Sequence, residues 1–140
     1  MKRTASAEWQ GDLKTGKGIV PTESGALDKR PYSFTTRFEG EKGTNPEELI
    51  AASHAGCFTM ALSAELGKAN LKPESLRTTA SVSLDKVDAG WTVTASHLEV
   101  VGRVPGASAE AFRAAAEAAE KGCPISRLLN AKITMNARLE

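Results

Sequence analysis

From Tyr32 the chain alternates with period two: Tyr32, Phe34, Thr36 and Phe38 on one side, Ser33, Thr35, Arg37 and Glu39 on the other. This predicts a strand in which Arg37 points away from its aromatic neighbours, toward solvent or a second layer. Upstream, residues 4–10 and 13–20 flank the turn-prone Gly11-Asp12, a hairpin signal, so residues 1–40 read as β-rich. Downstream, residues 77–87 set Thr78, Ala80, Val82 and Leu84 against Thr79, Ser81, Ser83 and Asp85. Asp88-Ala89-Gly90 turns the chain, and residues 91–104 return as a partner strand. A last strand alternates Ile133, Met135, Ala137 and Leu139 with Lys132, Thr134, Asn136 and Arg138.

Helical periodicity fills the gaps. Asn45 suits an N-cap, Pro46 the first helical position and Glu48 the third, as in a capping box. The predicted helix runs to about residues 67–70, with Pro73 beyond it. Leu49, Ile50, Ala52, Phe58, Met60, Ala61, Leu62 and Leu66 do not fit one stripe, and a helix without a polar face is buried all round. A chain of 140 residues has little material to surround it, which predicts an intertwined homodimer. The small patch Ala51, Ala52, Ser53, Ala55 and Gly56 would admit another backbone. Ser108 caps a second helix ending at Gly122, and Cys123-Pro124 opens a short third one over residues 125–130. Strands, helix, hairpin, helix and strand together predict an α+β fold with an antiparallel sheet.

The length fits a single domain over residues 1–140, large enough for its own core. Eighteen basic residues against 17 acidic ones give net charge +1, without the surplus that tracks phosphate, so nucleic-acid binding is set aside. The amino terminus has no apolar segment behind its basic start, so no secretory signal is expected. The apolar stretch 49–66 carries Ser53, His54, Thr59, Ser63 and Glu65, which argues against a membrane span. A cytoplasmic protein is expected, and there two cysteines are catalytic, metal-binding or simply buried rather than a permanent staple.

Cys57 falls about three turns into the first long helix, too deep for the helix dipole to acidify it. An apolar setting raises a thiol pKa, so Cys57 is a nucleophile only if a cation reaches it, and otherwise a core residue. Arg30, Arg37 and Arg127 are the candidates, with Arg37 favoured by its strand face. Cys123, after Gly122 and before Pro124, sits beside a helix start whose amides stabilise a thiolate. Glu47 or Glu48 could hold an arginine fork as a bidentate partner, or simply stabilise the first turn. His54, three residues before Cys57, allows a Cys–His nucleophile pair, or with His97 and Cys123 a four-ligand metal set. The usual zinc spacing is missing, and His97 lies on the face opposite Leu98 and Val100.

The segments "WQGDLKTGKG", "RFEGEKGTNPEELIAASHAGCFTMALS", "SLDKVDAGW" and "GCPISRLL" make the chain resemble the osmotically inducible protein C and organic hydroperoxide resistance family, closest to the first branch. The resemblance implies a cysteine peroxidase of oxidative or osmotic stress defence, acting on organic hydroperoxides and more weakly on hydrogen peroxide. It implies an intertwined homodimer around central helices with the active site at the subunit interface, no cofactor, and reduction by a dithiol on a lipoyl-bearing protein. By motif, Cys57 in "HAGC" matches the peroxidatic cysteine and Cys123 in "GCP" the resolving one. Arg37 in "RFEGEKG" matches this branch's arginine and Glu47 in "NPEE" its carboxylate partner. The sister branch draws its arginine from the first hairpin loop, which here reads "DLKTGKG" and holds only lysines.

Overall fold

The computed structural model describes all of residues 1–140, which form two compact units, Met1–Leu49 and Ile50–Glu140. In the first, strand β1 (Glu8–Gln10) pairs antiparallel with β2 (Lys17–Val20), and β2 with β3 (Arg30–Ser33). The hairpin is as predicted, but its strands are shorter. Asp12 organises the loop: its carboxylate accepts from the N–H groups of Lys14 and Thr15 at 2.9 and 2.8 Å and from the Thr15 hydroxyl at 2.7 Å. At Gly18 a side chain has no room, since a Cβ would stand 2.4 Å from the Tyr32 ring and 2.8 Å from that of Trp9.

The alternating stretch after β3 is not a strand. Phe34–Phe38 forms a short helix, α1, whose N-cap Ser33 and third residue Thr36 each bond the other's backbone N–H, a complete capping box. Residues two apart also include pairs four apart, so the aromatic spacing satisfies both periods. Phe34 and Phe38 meet with ring centroids 4.9 Å apart. Arg37 consequently does not turn from the aromatics: its guanidinium carbon lies 5.3 Å from the centroid of the Phe38 ring.

Helix α2 (Pro46–Lys68) begins where predicted, with Asn45 Oδ1 accepting from the Glu48 N–H at 2.8 Å. The reciprocal half of the box does not form, because the Glu48 carboxylate accepts from the Thr44 hydroxyl at 3.2 Å instead. The helix closes on Asn70 at φ 55°, where the Leu71 N–H returns to the Leu66 carbonyl at 2.9 Å. By length and composition alone its 23 residues suffice to cross a bilayer. One face, His54, Phe58, Leu62 and Leu66, is nevertheless buried. Its apolar members share a core with Leu98, Val100, Phe112 and Ala116.

The second unit wraps that core with a sheet and two helices. Strands β4 (Ser75–Val87) and β5 (Gly90–Arg103) form a long antiparallel hairpin with Thr78, Ala80, Val82 and Leu84 on the more buried face. Strand β6 (Lys132–Leu139) then pairs with β5 in parallel, so this sheet is mixed where alternation predicted an antiparallel one. A parallel neighbour needs a crossover, which helices α3 (Ala109–Gly122) and α4 (Pro124–Leu128) supply. Ser108 caps α3 through the Ala111 N–H at 3.0 Å. Helix α4 starts one residue earlier than predicted and stops at Leu128, short of residue 130. The α+β class read from the sequence holds.

Candidate active site

Cys123 is the last cap of α3 and the first cap of α4, and that sharp corner turns its side chain onto α2. Its Sγ stands 3.1 Å from Cys57 Sγ, across 66 positions of sequence, and both thiols are free. The distance exceeds the ~2.05 Å of a disulfide by about an ångström, so the pair can be bonded by small side-chain movements. Cys57 is half-buried, whereas Cys123 is fully enclosed.

The two thiols differ electrostatically. Burial, then the Cys123 thiol beside it, push the Cys57 thiol above its ordinary value, against a lowering hydrogen bond from the Ile125 N–H. Burial also pushes Cys123 up, but the Ser126 N–H, the Cys57 thiol, the Ser126 hydroxyl and the Ile125 N–H outweigh it and hold Cys123 below its ordinary value. The Ser126 and Ile125 groups at the start of α4 favour charge on Cys123.

His54 is neither a base for Cys57 nor a metal ligand. It is fully buried, with Nδ1 2.7 Å from Ser96 Oγ and Nε2 2.8 Å from Ser126 Oγ, so both ring nitrogens are committed to serines. Burial lowers its pKa and keeps it neutral. His97 lies on the outer face of β5 as predicted, against Thr134 at 2.6 Å and Glu99 at 2.9 Å, so the four-ligand set is not assembled. Sequence reasoning missed Ser96 and Ser126. Ser126 had one signal, its place in the first turn after "GCP".

In the first unit, Arg37 Nη2 donates to Glu47 Oε1 at 2.7 Å and Nε to Oε2 at 3.2 Å, a two-point fork. Glu48, the other candidate, is held by Thr44. Beside this pair opens a cavity of about 310 Å³ lined by Trp9, Leu13, Tyr32, Phe34, Arg37 and Phe38, among others. Its lining is mostly apolar and aromatic, with Arg37 and Ser33 among it. Arg30 lies on β3 and Arg127 on α4.

A fold of two three-stranded sheets with a long helix, carrying a close pair of free thiols, defines a class that comparison with known proteins identifies. The chain belongs to the OsmC-like protein family, whose sequence model matches residues 39–138. It is 54% identical over 138 residues to Peroxiredoxin OsmC of Escherichia coli (strain K12), covering 99% of this chain and 96% of that one. It is 27% identical over 124 residues to Organic hydroperoxide resistance protein OhrB of Bacillus subtilis (strain 168), covering 88% and 89%. The crystal structure of the Bacillus subtilis OhrB protein superposes with a TM-score of 0.70 at 25% identity, over 98% of each chain. An OsmC-like protein of unknown function from Vibrio cholerae shares the fold at a TM-score of 0.78 and 16% identity, over 99% of each.

Proposed function

We propose that the protein is a thiol peroxidase that reduces organic hydroperoxides, and hydrogen peroxide less well, in oxidative or osmotic stress defence. The 3.1 Å approach of two free cysteines carries the reading, supported by the 54% identity to a peroxiredoxin. Cys57, the more accessible sulfur, is the peroxidatic residue. Its thiolate sulfur bonds to one peroxide oxygen, the O–O bond breaks, and the alkoxide takes a proton to leave as an alcohol. Cys123 then attacks the resulting sulfenic acid: the S–S bond forms, the S–O bond breaks, and water departs with the thiol proton. An external dithiol, carried by a lipoyl-bearing protein, restores both thiols by exchange.

Within its own unit Cys57 is influenced by burial, Cys123 and the Ile125 amide, and these leave its pKa raised. Nucleophilic thiolate therefore calls for a cation. Arg37, oriented by Glu47, is our assignment for that role and for offsetting charge on the leaving alkoxide. The apolar cavity beside Arg37 suits the organic part of the hydroperoxide. Residues 1–140 then act as one functional domain, and no cofactor or metal takes part. Helix α2 leaves much of its surface open, with Met60 77% exposed, as a second copy of the chain in an intertwined homodimer would cover. We infer a cytoplasmic location, where a thiol-based cycle is kept reducible.

The test is turnover of cumene hydroperoxide with dihydrolipoamide as reductant. Wild-type protein should turn over and Cys57→Ser should not; equal rates in both would reject Cys57 as the peroxidatic residue.

A further inference from the structure

The proposed cycle is entered from solution twice, by a hydroperoxide and then by a reducing thiol, and the fold offers them a single sulfur. Cys123 has no exposed surface, enclosed at the α3–α4 corner by its own chain. Cys57 is only half-buried, and the surface of α2 around it is open. Ser53 and Gly56, four and one residues before it, and Met60, three after, are all exposed. A Cβ added at Gly56 would meet no atom within 4 Å. A second copy of the chain laid on α2 would narrow this path, yet no partner can uncover a sulfur that its own fold encloses. With the sulfurs already 3.1 Å apart, the disulfide closes by small side-chain movements, so the contrast in burial persists in the oxidised pair.

We propose that the reductant attacks the disulfide at Cys57 only, so that one sulfur receives both the peroxide oxygen and the reducing thiol. The inference rests on the peroxidase reading above, and it follows from access, which with the choice of sulfur governs thiol exchange. The reductant's thiolate sulfur bonds to Cys57 sulfur, the Cys57–Cys123 bond breaks, and Cys123 leaves as a thiolate. The second thiol of the dithiol, as thiolate, then bonds to the first reductant sulfur, and Cys57 leaves as a thiolate. The dithiol ends as a cyclic disulfide and both cysteines end reduced. The groups at the start of α4 favour charge on Cys123, and a thiol of lower pKa leaves faster.

The experiment stops the exchange at its first step with cysteamine, a monothiol. Wild-type protein oxidised by one equivalent of cumene hydroperoxide is mixed with cysteamine, quenched in acid at short times, unfolded, alkylated and mapped. Mixed disulfide on Cys57, with Cys123 recovered as the alkylated thiol, is the expected pattern. Mixed disulfide carried in half or more of the molecules by Cys123 would overturn the inference. Single-cysteine variants give a second readout: folded Cys123→Ser should react with an aromatic disulfide reagent, and Cys57→Ser should lose that reactivity until it is unfolded. Equal reaction of the two folded variants would also overturn it. Failure of the hydroperoxide to form the disulfide would instead overturn the peroxidase reading; diamide then supplies the disulfide, and the mapping still decides which sulfur is attacked.

Discussion

Cys57 Sγ and Cys123 Sγ stand 3.1 Å apart, one on a long helix and the other at the corner between two helices. Their settings are opposed. The half-buried sulfur is the one whose ionisation is hindered, and the enclosed sulfur is the one its neighbours acidify.

That division assigns separate losses to the two cysteines. Cys123→Ser should reduce one equivalent of hydroperoxide and then stop, leaving Cys57 as a sulfenic acid that higher peroxide carries to the sulfinic state. Mass spectrometry would read a gain of one and then two oxygens on Cys57. Normal turnover with a dithiol would remove the resolving role.

Arg37 and Glu47 form a two-point fork, which lysine cannot reproduce. Arg37→Lys should lower kcat/KM for an organic hydroperoxide by about tenfold or more. Its urea midpoint should change little, since lysine keeps the positive charge opposite Glu47 and Arg37 itself is exposed. A large loss of stability with kcat/KM intact would reverse the assignment.

How much of this was legible in the sequence depended on how local the signal was. Asn45-Pro46, Ser108 and the Gly122-Cys123-Pro124 corner place the helices, because caps act within a few residues. Helix α1 was hidden: Phe34 and Phe38 satisfy both periods, and the deciding Ser33–Thr36 box is a variant of the usual pattern. The parallel setting of β6 could not come from alternation, which names faces and not directions; the two helices before it were the clue. The residue types alone left Glu47 and Glu48 open and only the motif resemblance favoured Glu47; in the fold the Arg37 fork closes on Glu47 while Thr44 holds Glu48. The serines around His54 lie 42 and 72 positions away, beyond any sequence pattern.

His54 also gives the fold an acid limit. Burial lowers its folded pKa below 6.5, so under acid conditions an unfolded chain takes up a proton that the native one refuses. Stability is complete above that pH and declines as pH falls toward the folded value. Urea midpoints between about pH 7.5 and pH 5.5 should fall, with a shallower slope in His54→Gln, because that site no longer titrates. Equal slopes would detach His54 from the acid limit.

Gly102 marks where the core tolerates no added atom. A Cβ there would stand 2.4 and 2.5 Å from the edge of the buried Phe112 ring and 3.1 Å from Leu76. Gly102→Ala should cost about 1–3 kcal/mol by overpacking, measured by urea unfolding. A neutral result would mean that Phe112 can shift freely.

The most direct test of the central claim counts thiols and maps their bond after one equivalent of organic hydroperoxide is added to the reduced protein. The account predicts that both free thiols disappear, that a Cys57–Cys123 disulfide is recovered in the same chain, and that a dithiol restores both. Thiols that survive the hydroperoxide, or a disulfide joining any other pair, would contradict it.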